Sequence, residues 1–167
     1  RQYNPNMAAD VLAELLKSHP DAELCMVGPD KDGSMDEFKT FINSIGIAKH
    51  VTITGKLSRE EWIKLSENYD FFINTTNVDN TPVSVIEAMA LGFCVITTNP
   101  GGVPYLLQDG IDSMLLQPGN SHTMTEKVKQ LIADPDLAAI LSENARRKAE
   151  SFDWVKIKND WLELLNN

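Results

Sequence analysis

Asp79 and Glu87 bracket the stretch of this chain that is richest in chemistry, with Asn80, Thr81, Pro82 and Val83 between them. The residue pattern predicts a strand ending near Thr75, a polar loop, and a helix from about Pro82 to Leu91, stopped by Gly92. That order sets a helix amino terminus at the carboxyl edge of a parallel sheet, where open α/β folds bind ligands. Unused N–H groups and the positive end of the helix dipole suit a diphosphate there. Pro82, placed at the first helical position, gives up an N–H the helix does not need. Val83, Val85, Ile86, Ala88, Met89, Ala90 and Leu91 make the helix apolar on nearly every side, so burial is expected. An ionised Glu87 in a buried helix is costly unless it is hydrogen-bonded or paired. Asp79 sits at the mouth of the same site. The plain alternative gives Asp79 a turn-supporting role and pairs Glu87 with a buried cation.

These residues need a scaffold, and the rest of the pattern supplies one. Met7, Val11, Leu12, Leu15 and Leu16 recur at helical spacing behind Pro5. Ala22 to Val27 reads as a buried strand closed by Gly28. Ser34 with Glu37 has the spacing of a capping box for a helix through Phe38, Phe41, Ile42 and Ile45, ended by Gly46. Val51 to Thr54 reads as a strand closed by Gly55. Ser58 with Glu61 is a second capping box, before Trp62 and Leu65. Strands follow near Phe71 to Thr75, Cys94 to Thr98 and Met114 to Leu116. Helices are expected near Ser121 to Ala133 and Asp136 to Ser151. Asp153 caps a last amphipathic helix through Trp154, Ile157, Trp161 and Leu165. Strands alternating with helices indicate an α/β fold with a doubly wound, Rossmann-like parallel sheet. Such a domain usually opens with a central strand. Here a helix comes first, so residues 1–167 read as one domain lacking its first strand.

Composition narrows the function. The 167 residues suit one domain with a sizeable core. A net charge of -9 argues against nucleic acid or an anionic membrane as the main partner, though local donors can still hold a phosphate. Cys25 and Cys94 lie in apolar strands and read as buried free thiols, which favours a reducing, cytoplasmic setting. His19, His50 and His122 lack ligand spacing, and neither a metal nor a cofactor is expected.

The ordered set of motifs resembles the retaining GT-B glycosyltransferases known as glycosyl transferases group 1. That family carries an E-x7-E motif, an apolar helix of the form EAMA-x-G, and then a strand. This chain has Asp79-x7-Glu87 running into Ala88-Met89-Ala90-Leu91-Gly92, then Cys94 to Thr98, Pro100-Gly101-Gly102-Val103-Pro104 and Asp109-Gly110. The likeness extends from about residue 5 to residue 165. It implies the carboxyl-terminal half of a GT-B fold, binding a nucleoside-diphosphate sugar as donor for carbohydrate biosynthesis. Glu87 would accept hydrogen bonds from the donor's ribose hydroxyls. Asp79, the implied catalytic position, would contact the sugar. Asn80, Thr81, Pro82 and Val83 would face the sugar and diphosphate, with Lys56 and Leu57 beside the base and the Gly28 turn nearby.

Two departures bear on activity. Asp79 is one methylene shorter than the family's glutamate, and Tyr3 stands where relatives often carry a lysine for the diphosphate. The resemblance further implies a separate amino-terminal domain that binds the acceptor and closes the cleft. Any approach to the inner face of a membrane would run through that domain. The chain by itself is therefore expected to be inactive. The last helix, with Trp154 and Trp161, resembles the segment that packs towards the partner domain, whereas core packing is its plain alternative. A GT-B nucleotide-sugar epimerase and a non-catalytic nucleotide-binding module are the rival readings.

Overall fold

Asn4 starts the first helix: its side chain accepts the Met7 N–H at 3.3 Å, and Pro5 opens α1 (Pro5–Leu15). Its two apolar stripes are buried in different places, and this makes α1 the hub of the fold. Met7 and Val11 join one core, while Ala9 and Leu12 join another. The computed structural model describes residues 2–30 and 33–166.

The second core holds β1 (Leu24–Val27), α2 (Ser34–Ser44) and β2 (Val51–Gly55). The strands pair in parallel, Leu24 opposite Val51 and Val27 opposite Gly55. The first strand begins at Leu24 rather than Ala22. The capping box expected at Ser34 is not the helix start. Gly33, in a left-handed conformation with φ 74°, holds the N-cap position without a side-chain cap bond, and Ser34 is already helical. The Ser58–Glu61 box does form: each side chain accepts the other's backbone N–H, opening α3 (Arg59–Ser66).

The larger sheet has the order β3 (Phe71–Asn74), β4 (Cys94–Thr98), β5 (Met114–Leu116), all parallel. The central β4 is buried throughout, as a strand covered on both faces must be. Cys94 and Ile96 face one core with α1 and with α6 (Ser121–Ala133). Val95 faces the other, with α4 (Val83–Leu91), the short α5 (Val103–Leu106) and α7 (Pro135–Ser151). Helices on both faces of parallel strands bear out the doubly wound α/β expectation. Among the described residues the strands form two sheets instead of one: β1 pairs only with β2, and β3 only with β4.

Cys25 and Cys94 are free thiols; Cys94 is buried and Cys25 only half-buried. Burial pushes the Cys94 thiol up to about 11. Burial, and then a bond to Cys25, push the Tyr69 phenol up to about 12. The last helix, α8 (Trp154–Asn166), corrects another expectation. Asp153 does cap it, accepting the Val155 N–H at 2.9 Å, but the helix is not packed into the core. Trp154 is 61% exposed and Trp161 50%, and Leu164 and Leu165 stand in solvent. Among the described residues no helix is long and apolar enough to cross a membrane.

Candidate functional site

Each sequence-selected residue lies just past the carboxyl end of a strand or at the start of the following helix. β3 ends at Asn74, and residues 75–82 make a loop fixed largely by hydroxyls. Thr98 Oγ1 donates to the Thr76 carbonyl at 2.6 Å, Thr76 Oγ1 lies 3.1 Å from the Val78 carbonyl, and Thr75 Oγ1 donates to the Asn4 carbonyl at 2.8 Å. Gln2 joins the same knot by accepting the Asn77 N–H at 2.8 Å. Buried hydroxyls bonded in this way leave the loop little freedom.

The α4 helix opens at Val83, with Pro82 in the N-cap position at φ -69°, ψ 107°. Pro82 is thus one residue outside the helix rather than its first member. No side chain caps this terminus, so its orphan N–H groups remain available to an anion.

Glu87 overturns the burial argument. Only Val85, Ala88 and Met89 of α4 are fully buried; Val83, Ser84, Glu87 and Ala90 share an open face, with Val83 64% exposed. The helix is apolar on most sides yet lies against the sheet by one side alone. Glu87 therefore carries no desolvation burden, and the buried-cation alternative fails with it. Its position remains informative. It stands one turn into the helix, on the face that continues to Val83 and the open amino terminus.

Asp79 is half-buried and turned back on its own loop, its Oδ1 accepting the Asn80 N–H at 2.8 Å. That N–H, one of those expected to face the diphosphate, is engaged by a neighbouring side chain. The second carboxylate oxygen, Oδ2, can still accept from a ligand while this bond stands. Asn80 and Thr81 are exposed beside it.

A second lip stands on the smaller sheet. Gly28, at φ 143° in a conformation that favours glycine, donates its N–H to the Gly55 carbonyl at 2.9 Å, which sets the Gly28 turn beside the start of the Lys56–Leu57 segment. Lys56 is exposed and Leu57 half-buried. The structure thus groups Asp79, Asn80, Thr81, Pro82, Val83 and Glu87 around the start of α4, and Gly28, Lys56 and Leu57 at the carboxyl edge of the smaller sheet. Tyr3, in place of the expected lysine, is 56% exposed beside the Gln2–Asn77 knot.

Sequence reasoning missed the part played by the turn after β4. Gly101 and Gly102 lie against the backbone of Asp79 and Asn80, and the Gly102 N–H donates to the Asp79 carbonyl at 3.3 Å. Two adjacent glycines at a strand's carboxyl end were the available signal. Tyr105, three residues on, is 93% exposed. Among the described residues no group of three or more His, Cys, Asp or Glu side chains converges as a metal site.

Comparison with known proteins bears on the family and the fold. The family described as glycosyl transferases group 1 matches residues 1–148. A D-inositol 3-phosphate glycosyltransferase of Rhodococcus jostii is 27% identical over 171 residues, which covers 97% of this chain and 38% of that protein. The chain spans 38–44% of the length of the curated relatives that it matches first. Among solved structures, the C-terminal domain of a glycosyl transferase group 1 family protein from Francisella tularensis superposes with a TM-score of 0.79 at 20% identity, covering 90% of this chain and 80% of that one. Anabaena HepE in complex with UDP-glucose gives 0.84 at 24% identity, over 99% of this chain and 46% of that one. These likenesses establish the fold as that of the carboxyl-terminal half of GT-B glycosyltransferases.

Proposed function

The chain belongs to the glycosyl transferases group 1 family, and from that premise we propose that it is the donor-binding half of an enzyme that transfers a sugar from a nucleoside diphosphate with retention. The observation that carries this reading is the uncapped amino terminus of α4, with Glu87 on the open face one turn behind it. The terminus is suited to a diphosphate, and Glu87 to a vicinal diol. HepE is described in complex with UDP-glucose, which makes uridine nucleotides the first ligands to try.

The open geometry bears on why a second domain is needed. Drug-sized ligands are usually 70–90% enclosed, yet Val83, Glu87, Asn80 and Lys56 face solvent. An acceptor-binding domain of the same parent protein would cover this face, and the exposed apolar residues of α8 suit a contact with it.

In the reaction, the α4 terminus would stabilise charge building on the departing diphosphate. Lys56 would add a positive charge beside the base, and Asp79 would orient the sugar. The 167-residue chain should therefore bind donor without consuming it. Incubated with sugar nucleotides and acceptors, it should release no nucleoside diphosphate above background. Clear transfer by the chain alone would overturn the two-half reading.

Asp79 gives a finer test. In the complete enzyme, Asp79→Ala should lower turnover by at least about ten-fold while changing nucleoside diphosphate inhibition little, because orienting the anomeric carbon acts on rate. Asp79→Glu restores the family's length and should shift the preference among donor sugars at level nucleotide affinity. Steady-state rates with several donors decide the matter. Equal losses of turnover and nucleotide affinity in Asp79→Ala would move this residue to the phosphates or to loop support.

A further inference from the structure

Two consecutive glycines in the turn after β4 touch two consecutive residues in the loop after β3. A Cβ placed on Gly101 would lie 2.2 Å from the Asp79 carbonyl oxygen, and one on Gly102 would lie 2.1 Å from the Asn80 carbonyl oxygen and 2.5 Å from Asn80 Oδ1. Real Cβ atoms essentially never approach within 3.0 Å of another heavy atom. The obstacles at Gly101 and the nearest one at Gly102 are backbone atoms, which cannot swing aside as a flexible side chain can. The two positions differ in one useful respect. Gly101 has φ 55°, so a side chain there is strained as well as crowded. Gly102 has φ -85°, ψ -8°, an ordinary conformation for any residue. At Gly102 only the close approach requires glycine.

The contact lies in a rigid setting. The Gly102 N–H donates to the Asp79 carbonyl at 3.3 Å, and the Thr98 hydroxyl ties the same two strand ends together through Thr76. Asp79 in turn holds the Asn80 N–H. Removing the room at Gly102 must move this loop or the turn by about an ångström to reach ordinary contact.

We propose that Gly101 and Gly102 are positioning residues, holding the Asp79–Asn80 backbone at the sugar end of the donor site by direct backbone contact. The proposal rests on the donor-site reading of residues 79–87. It divides the duties by residue, not by lip. Glu87, Lys56 and the Gly28 turn serve the nucleoside, whereas the glycine pair sets where the sugar lies. Misplacement of a reacting group by about an ångström costs on the order of a hundred-fold in rate, so the glycines would act on chemistry without touching the donor.

The test uses Gly102→Ala in the 167-residue chain, with Gly119→Ala as control. Gly119 has φ 78° and open space around it, so alanine there strains the backbone without pressing on a neighbour. Without ligand, backbone amide chemical shifts of residues 77–81 should move in Gly102→Ala and stay at wild-type positions in Gly119→Ala. With UDP and UDP-glucose as probes, Gly102→Ala should weaken the sugar nucleotide by about ten-fold or more, the effect of losing about one hydrogen bond from a charged group to the sugar, and the nucleoside diphosphate by less than about three-fold. Gly119→Ala should leave both affinities unchanged. Unmoved loop amides, or equal weakening of UDP and UDP-glucose, would overturn the positioning role. If neither probe binds the wild-type chain, the donor reading fails for uridine nucleotides. The loop amides would still decide whether the glycines hold the loop.

Discussion

Glu87→Ala is expected to weaken nucleoside diphosphate binding by about ten- to a hundred-fold while leaving thermal stability almost unchanged. A hydrogen bond to a charged group contributes about 1.5–3 kcal/mol, and each 1.4 kcal/mol is a factor of ten. If both oxygens of Glu87 receive ribose hydroxyls, the loss falls in that range. The structure makes the stability half of the prediction strict. Glu87 is exposed on α4, no buried partner depends on it, and surface substitutions of this kind usually fall within about 0.5 kcal/mol. Glu87→Gln keeps an acceptor but loses the charge, and should lie between wild type and alanine. Calorimetric titration beside thermal melts separates the effects. An unchanged affinity, or a melting temperature lowered by many degrees, would remove Glu87 from the site.

The largest effect on stability is expected from Asp112, which the motif did not single out. Asp112 is only 4% exposed at the loop between α5 and β5. Oδ1 accepts the Gln108 N–H at 2.7 Å and the Ser113 hydroxyl at 3.2 Å, while Oδ2 accepts Lys148 Nζ at 2.6 Å. This carboxylate ties the α5–β5 loop to α7. Asp112→Ala leaves a backbone donor and a half-buried lysine without their acceptor, and breaking such a pair costs up to about 3 kcal/mol, the low end for a buried pair. For a chain of this size that is a fall of roughly 6–12 °C in melting temperature. Asp112→Asn keeps the geometry but not the charge and should cost less. Lys148→Met should relieve part of the penalty in Asp112→Ala, because the orphaned charge goes with it. A fall of less than about 1 kcal/mol in urea melts would show that solvent replaces the lost partners.

The comparison of sequence with structure separates what spacing encodes from what packing decides. The short apolar runs that open Phe71–Asn74 and Cys94–Thr98 were legible as strands because a strand covered on both faces is apolar on both. The site's position followed from the same logic: where a strand stops and a helix starts, a helix terminus faces the sheet edge. Glu87 was placed on the correct helix, but the wrong burial was inferred from its apolar neighbours. Hydrophobicity of α4 reflects small residues packed on β4 and α7, and it does not reveal that one side stays open.

Other differences have equally local causes. Ser34 was a reasonable cap by type and spacing, but Gly33 turns the chain into the helix first. The Trp154 helix has the periodicity of a core element, and periodicity does not say which surface the stripe covers. The clamp at Gly101 and Gly102 depends on an approach between loops about twenty residues apart. No local spacing encodes that approach.

The most direct test of the central claim is amide chemical-shift mapping of the 167-residue chain titrated with UDP, and then with GDP, ADP and dTDP. The account predicts saturable shifts from at least one of them at Gly28, Lys56 and Leu57 and at Asn80, Thr81, Val83 and Glu87. The strands' amino ends, around Phe71 and Cys94, should stay unmoved. Shifts confined to that opposite edge, or none with any of the four on a folded chain, would contradict it.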